Sequence, residues 1–173
     1  LRQFGGATRL CRVGTDLRFS GMAIENASGS AEQFAKAVSG VEDHADLPLV
    51  LIAKSADVLS AALVQVGSYR PLLHAATREN YKDFCALSKK HGCPMVIRAG
   101  NLEDLAALAK DCAAEGVQKL VLDPAPENLG DFLVRSTAIR QLAITRKAPD
   151  LGYPVYLDAT DSGMQDAAIA LGI

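Results

Sequence analysis

Six polar residues close short apolar runs in this sequence: Asn26 after MAIE, Lys54 after PLVLIA, Thr77 after PLLHAA, Arg98 in PMVIRA, Asp123 in KLVLDP and Asp158 in PVYLD. Their amide, hydroxyl, ammonium, guanidinium and carboxylate groups can hydrogen-bond the polar edge of a ligand or neutralise one another. A charge at the end of an apolar strand loses water unless it is paired. Arg98, Asp123 and Asp158 are therefore expected either as an ion-pair network or as a mouth that binds the polar part of a ligand or of another domain. Lys54 and Thr77 have plainer readings, a solvated loop residue and a helix cap. His44, His74 and His91 are scattered along the chain. His74 lies inside a strand pattern and is expected as a hydrogen-bonded core residue and not a base. The sequence contains no G-x-S-x-G, G-x-x-x-x-G-K-[ST], G-x-G-x-x-G or H-E-x-x-H, and no Ser or Cys can be matched to a base. No catalytic residue is assigned.

The elements that must position these groups follow from a repeat. Pro48, Pro71 and Pro94 recur at a constant interval of 23 residues (71 − 48 and 94 − 71), each followed by a β-leaning run: PLVLIA, PLLHAA, PMVIRA. Proline at the first position of a strand forfeits no ladder hydrogen bond. A fourth unit, KLVLD from Lys119, keeps nearly the same spacing without the proline. Between the runs, apolar residues recur at three and four, as in Val58, Ala61, Ala62 and Gln65 or Leu102, Leu105, Leu108 and Ala109, which predicts helices. Ser55, Thr77 and Asn101 stand where N-caps belong, with Asp57, Glu79 and Glu103 in the first turns. Gly92 and Gly116 stand where left-handed C-caps belong. Further strands are expected over 10–13, 22–27 and 154–158, and helices over 31–39 and 129–147.

Strands and helices alternating at such short spacing require parallel pairing with right-handed crossovers. A steady period of one βα unit favours a TIM-type barrel over an open doubly wound sheet. The fold class is thus α/β, a parallel βα repeat over residues 1–173. A full barrel takes about 250 residues, so the single domain is expected to be incomplete and part of a longer polypeptide.

With 49% hydrophobic and 22% charged residues in 173, the chain builds one well-packed core. A net charge of −2 offers nothing to a polyanion, so nucleic acid is not an expected partner. No apolar run approaches the roughly 20 residues that cross a bilayer, and membrane is not expected either. Cys11, Cys85, Cys93 and Cys112 form no C-x-x-C and fit buried structural thiols in a reducing cytoplasm. No metal site is readable from them.

In order along the chain stand MAIENAS, DLPLVLIAKSADVLSAAL, RPLLHAATRENYKDFCALSKKHGCPMVIRA, GVQKLVLDPAP, the IRQLAI helix and LGYPVYLDAT. Over about residues 20 to 173 this closely resembles the barrel domain of the corrinoid iron–sulfur protein large subunit, the gamma subunit of the acetyl-CoA decarbonylase/synthase complex. The resemblance implies a methyl carrier whose corrinoid cobalt takes a methyl group from a methylated pterin and passes it to acetyl-CoA synthase. It also implies that the [4Fe-4S] cluster and the corrinoid are held by flanking domains, and that this chain binds neither by itself. The implied partners are a homologous small barrel subunit, a pterin-dependent methyltransferase and acetyl-CoA synthase. The mouth residues would be Asn26, Thr77, Arg98, Asp123 and Asp158, shielding a reactive cobalt and performing no catalysis themselves.

Two alternatives stay open. The chain also resembles pterin-binding barrels, the methyltetrahydrofolate methyltransferases and dihydropteroate synthases, in which Asn26, Asp123 and Asp158 would bind substrate directly. Against that, Ala125-Pro126-Glu127 replaces a glycine-rich continuation after Asp123. A barrel that serves only subunit contact is the other.

Overall fold

A computed structural model describes residues 9–12, 14–18, 20–42, 47–145 and 148–160. The chain divides into two compact units, one comprising 1–75 with 86–94 and the other 76–85 with 95–173.

The first unit begins with a hairpin. β1 (Arg9–Arg12) pairs antiparallel with β2 (Thr15–Arg18), Arg12 opposite Thr15. Gly14 in the connection has φ 76°, a conformation that glycine adopts without steric cost. The strand expected over 10–13 is therefore one arm of a hairpin, outside the parallel series, and its last residue, Val13, lies outside the described residues. Period-2 patterning in so short a segment cannot distinguish the two settings.

β3 (Met22–Glu25), β4 (Leu49–Ile52) and β5 (Leu72–Ala76) form the parallel part of this unit, Met22 opposite Leu49 and Val50 opposite Leu72. β3 stops at Glu25, two residues short of the expected Ala27. α1 (Ala31–Glu42) and α2 (Ala56–Val66) pack against each other. α1 buries Phe34, Val38 and Val41. The buried stripe of α2 is Leu59, Ala62, Leu63 and Val66. That stripe is rotated from the expected Val58, Ala61, Ala62 and Gln65, because the bulkier leucines give more transfer free energy, about 1.5–3 kcal/mol for a fully buried Leu.

Within the second unit β6 (Met95–Arg98) pairs parallel with β7 (Leu120–Asp123), Arg98 opposite Asp123. Met95, Val96 and Ile97 are all buried, as in a parallel strand covered on both faces. The expected strand over 154–158 reduces to a single parallel bridge, Leu122 to Val155, with Leu122 N–H donating to Pro154 O and Tyr156 N–H to Leu122 O. α4 (Leu102–Ala114) buries Leu105, Leu108, Ala109 and Cys112 as its pattern predicts. α5 (Leu129–Thr145) buries Phe132 and Ile139. α3 (Tyr81–His91) carries the boundary between the units.

The proline period is a strand-start signal: β4, β5 and β6 begin at Leu49, Leu72 and Met95, one residue after Pro48, Pro71 and Pro94. The prolines lack N–H groups but their carbonyls join the ladder, Pro48 O accepting from Met22 N–H and Pro94 O from Leu73 N–H. Ser55 Oγ accepts from Asp57 N–H, and Asn101 Oδ1 from Asp104 N–H, as N-caps. Gly92 and Gly116 have φ 66° and 87°. The fold is α/β, with strands and helices alternating and each βα strand pairing parallel with a neighbour in its own unit.

Candidate functional site

Parallel strands followed by helices carry their polar groups out at the C-terminal ends, where the βα loops begin. In the second unit two such ends meet and a third lies close along the chain to the bridge beside them. Arg98 closes β6, Asp123 closes β7, and Asp158 follows the Val155 bridge by three residues.

Asp123 is buried, and both carboxylate oxygens have work within the protein. Oδ1 accepts from Ala125 N–H at 2.8 Å, and Oδ2 lies 3.4 Å from Arg98 Nη1. The first contact folds the loop after β7 into an Asx turn, which holds Ala125 at φ 47°, unusual for a residue with a Cβ. The second neutralises a carboxylate that burial would otherwise make costly. Arg98 has 46% of its side chain exposed against 5% for Asp123, so the guanidinium is the outward member of the pair. Arg98 thus keeps donors available at the surface, while Asp123 organises the loop.

Tyr156 completes the group. It is half-buried, and its phenol pKa is raised chiefly by burial, then by the negative charges of Asp158 and Asp123, against an opposing pull from Arg98. The phenol stays a neutral O–H over the whole neutral range. Asp158 is exposed, and its Oδ1 accepts from Thr160 N–H at 3.0 Å and Thr160 Oγ at 2.6 Å.

The other expected residues make contacts of their own. Thr77 stands at the turn that leads into α3: its carbonyl accepts from Asn80 N–H and Tyr81 N–H, and Asn80 Oδ1 reaches back to accept from Thr77 N–H at 2.7 Å, as the third residue of a capping box does. Asn26, in the first unit, accepts from Ser28 Oγ at 3.2 Å. Lys54 is exposed after β4. His74 is buried in β5, as expected of a core residue.

Two residues escaped sequence reading. Tyr156 shares a face with Asp158 in PVYLD by simple alternation. Arg135 stands four residues after Asp131, the helical spacing of an ion pair, and its Nε donates to Asp131 Oδ1 at 2.8 Å.

Cys85, Cys93 and Cys112 are buried thiols outside any disulfide. A hydrogen bond with Cys85, reinforced by burial, pushes the Cys112 thiol well above its ordinary pKa, so it stays protonated and unreactive. Cys11 and His44 offer no side chain among the described residues. Among the described residues no group of three or more His, Cys, Asp or Glu side chains is placed to hold a metal ion, and no helix is long and apolar enough to cross a membrane. A cavity of about 640 Å³ lies beside α5, lined by apolar side chains such as Phe132, Ile139, Leu151 and Tyr153. Of the three strand-end residues just described it includes none.

Residues 7–170 match the model of a family described as the CO dehydrogenase/acetyl-CoA synthase delta subunit. The chain is 35% identical over 158 residues to the corrinoid/iron-sulfur protein large subunit of Moorella thermoacetica, covering 91% of this chain and 35% of that protein. It is 38% identical over 149 residues to the acetyl-CoA decarbonylase/synthase complex subunit gamma of Methanopyrus kandleri, covering 83% of this chain and 31% of that one. The corresponding subunit of Methanocaldococcus jannaschii is 35% identical over 148 residues, with 83% and 30% covered. The chain therefore spans about a third of the length of these curated relatives. Among solved structures, Yersinia pestis DHPS with a pterine-sulfa conjugate matches with TM-score 0.53 at 14% identity, covering 85% of this chain and 75% of that one. That likeness is one of fold, and it agrees with a TIM-type βα barrel.

Proposed function

This chain belongs to the CO dehydrogenase/acetyl-CoA synthase delta subunit family, which takes in the corrinoid iron–sulfur protein large subunit, and from that premise we propose that it is the barrel portion of a corrinoid iron–sulfur methyl carrier. In this reading the full polypeptide moves a methyl group between a methylated pterin and acetyl-CoA synthase, in the cytoplasm, beside a homologous small barrel subunit. Among the described residues the side chains do not fit a [4Fe-4S] cluster: Cys85, Cys93 and Cys112 are buried thiols, with Cys112 hydrogen-bonded to Cys85. The cluster and the corrinoid belong to the parts of the polypeptide outside this barrel.

The observation that carries the reading is the asymmetry of the Arg98–Asp123 pair. A carboxylate committed to its own loop is poorly placed to accept from a substrate ring, whereas an exposed guanidinium beside a neutral phenol offers donors to the carbonyl oxygens of a polar ligand edge. The strand-end residues, Thr77, Arg98, Asp123 and Asp158 with Tyr156 in the second unit and Asn26 in the first, are in this account covering groups that hold donors and exclude water, without acid–base work.

A titration of this chain with a methylated tetrahydropterin by calorimetry tests the reading. The covering role expects no saturable binding. Binding that is lost in Asp123→Asn would replace it with the pterin-binding reading, in which Asn26, Asp123 and Asp158 contact the substrate.

A further inference from the structure

We infer that Arg135 is the positioning residue that holds the loops after β6 and β7 together and so fixes the spacing of Arg98 and Asp123. One nitrogen, Nη1, donates to two carbonyls: Gly100 O at 2.6 Å and Pro124 O at 2.8 Å. Gly100 lies two residues beyond Arg98, and Pro124 immediately follows Asp123. A single guanidinium from α5 thus spans both βα loops.

Its aim is set from within α5. Asp131 Oδ1 accepts from Arg135 Nε, Asp131 Oδ2 accepts from Glu127 N–H at 3.0 Å, and Asp131 N–H donates to Asn128 Oδ1 at 2.9 Å. The Asp131 carboxyl is held below the usual carboxylate range, first by Arg135 and then by that backbone N–H. Pro124 is buried, and a buried carbonyl requires a partner. The strand ladder supplies a further tie, Ala99 N–H to Asp123 O at 3.2 Å, and the Asx turn supplies Ala125 N–H to Asp123 Oδ1. Both depend on the two loops keeping their spacing. A lysine could not replace the arginine, because one ammonium cannot reach the carboxylate and both carbonyls from a fixed fork.

The importance of this clamp rests on the reading of the strand ends as a ligand-facing mouth, but its test requires no ligand. Hydrogen exchange by mass spectrometry, on the full natural polypeptide, compares Arg135→Gln and Arg135→Lys with Arg140→Gln, a change on the same helix outside the clamp. Exchange at the Ala99 and Ala125 amides should rise tenfold or more in both Arg135 variants. Leu51 and Leu59 amides should stay at the natural rate, and Arg140→Gln should match the natural protein throughout. The inference fails if the two loop amides stay within twofold, if exchange rises equally across the chain, or if Lys restores the natural pattern.

Discussion

The strand ends of the two units carry similar residue types and use them differently. In the first unit Glu25, Asn26 and Lys54 follow short parallel strands, and Asn26 bonds to a hydroxyl two residues away. In the second, Arg98, Asp123, Asp158 and Tyr156 interact across three separate chain segments, and Arg135 ties two of the loops from behind. The difference is one of contact order as well as charge. A hydrogen bond between near neighbours orders one loop, whereas bonds between segments far apart in sequence fix side chains relative to each other, as a binding surface requires. Polar strand ends are therefore a poor indicator of a site until it is known which of them converge.

The comparison breaks most readily at Asp123. Asp123→Ala removes the Asx turn and strands Arg98 at once, and should cost about 2–3 kcal/mol in urea unfolding of the full polypeptide. A loss no larger than that of a surface substitution would mean that the cluster is not organised by this carboxylate. Arg98→Ala should cost a comparable amount, about 1–3 kcal/mol, because it leaves the buried Asp123 carboxylate without its counter-charge. Asn26→Ala in the first unit should fall within about 0.5 kcal/mol of the natural protein in the same experiment. An Asn26 effect as large as that of Asp123 would erase the distinction between the units.

Two pH profiles sharpen it further. The Tyr156 phenol has a raised pKa, so the folded state holds its proton more tightly than the unfolded state. Its contribution is fully present below the ordinary tyrosine value of about 10 and is lost as pH rises through the raised value. Tyr156→Phe should remove that alkaline loss, read as urea midpoint against pH. Asp131 titrates in the opposite sense. Its lowered pKa gives stability present above the ordinary carboxylate value of about 4 and lost as pH falls through the depressed one. Asp131→Asn should flatten the acid limb, the smallest of these effects because the pair is partly exposed.

Local signals in the sequence proved legible wherever the chain must obey a rule within a few residues. Proline loses nothing ahead of a parallel strand, so the 23-residue interval marks where β4, β5 and β6 begin. The caps at Ser55 and Asn101 and the left-handed Gly92 and Gly116 answer equally local demands of helix ends. The strand over 10–13 was legible as a strand, but its antiparallel partner was not, because pairing is decided by a neighbour and not by the segment itself.

The residue types at the strand ends, and with them the βα alternation and the family, were determined by the sequence itself, because periodicity, proline placement and residue order are properties of the chain. Which ends form a site was decided only by tertiary structure. Arg98 and Asp123 become partners through parallel register, Tyr156 joins them because Val155 bridges Leu122, and Arg135 reaches Gly100 and Pro124 across 35 and 11 residues of sequence. Such contacts pay their loop-closure entropy only when the strands are already side by side, so no short stretch of sequence can announce them.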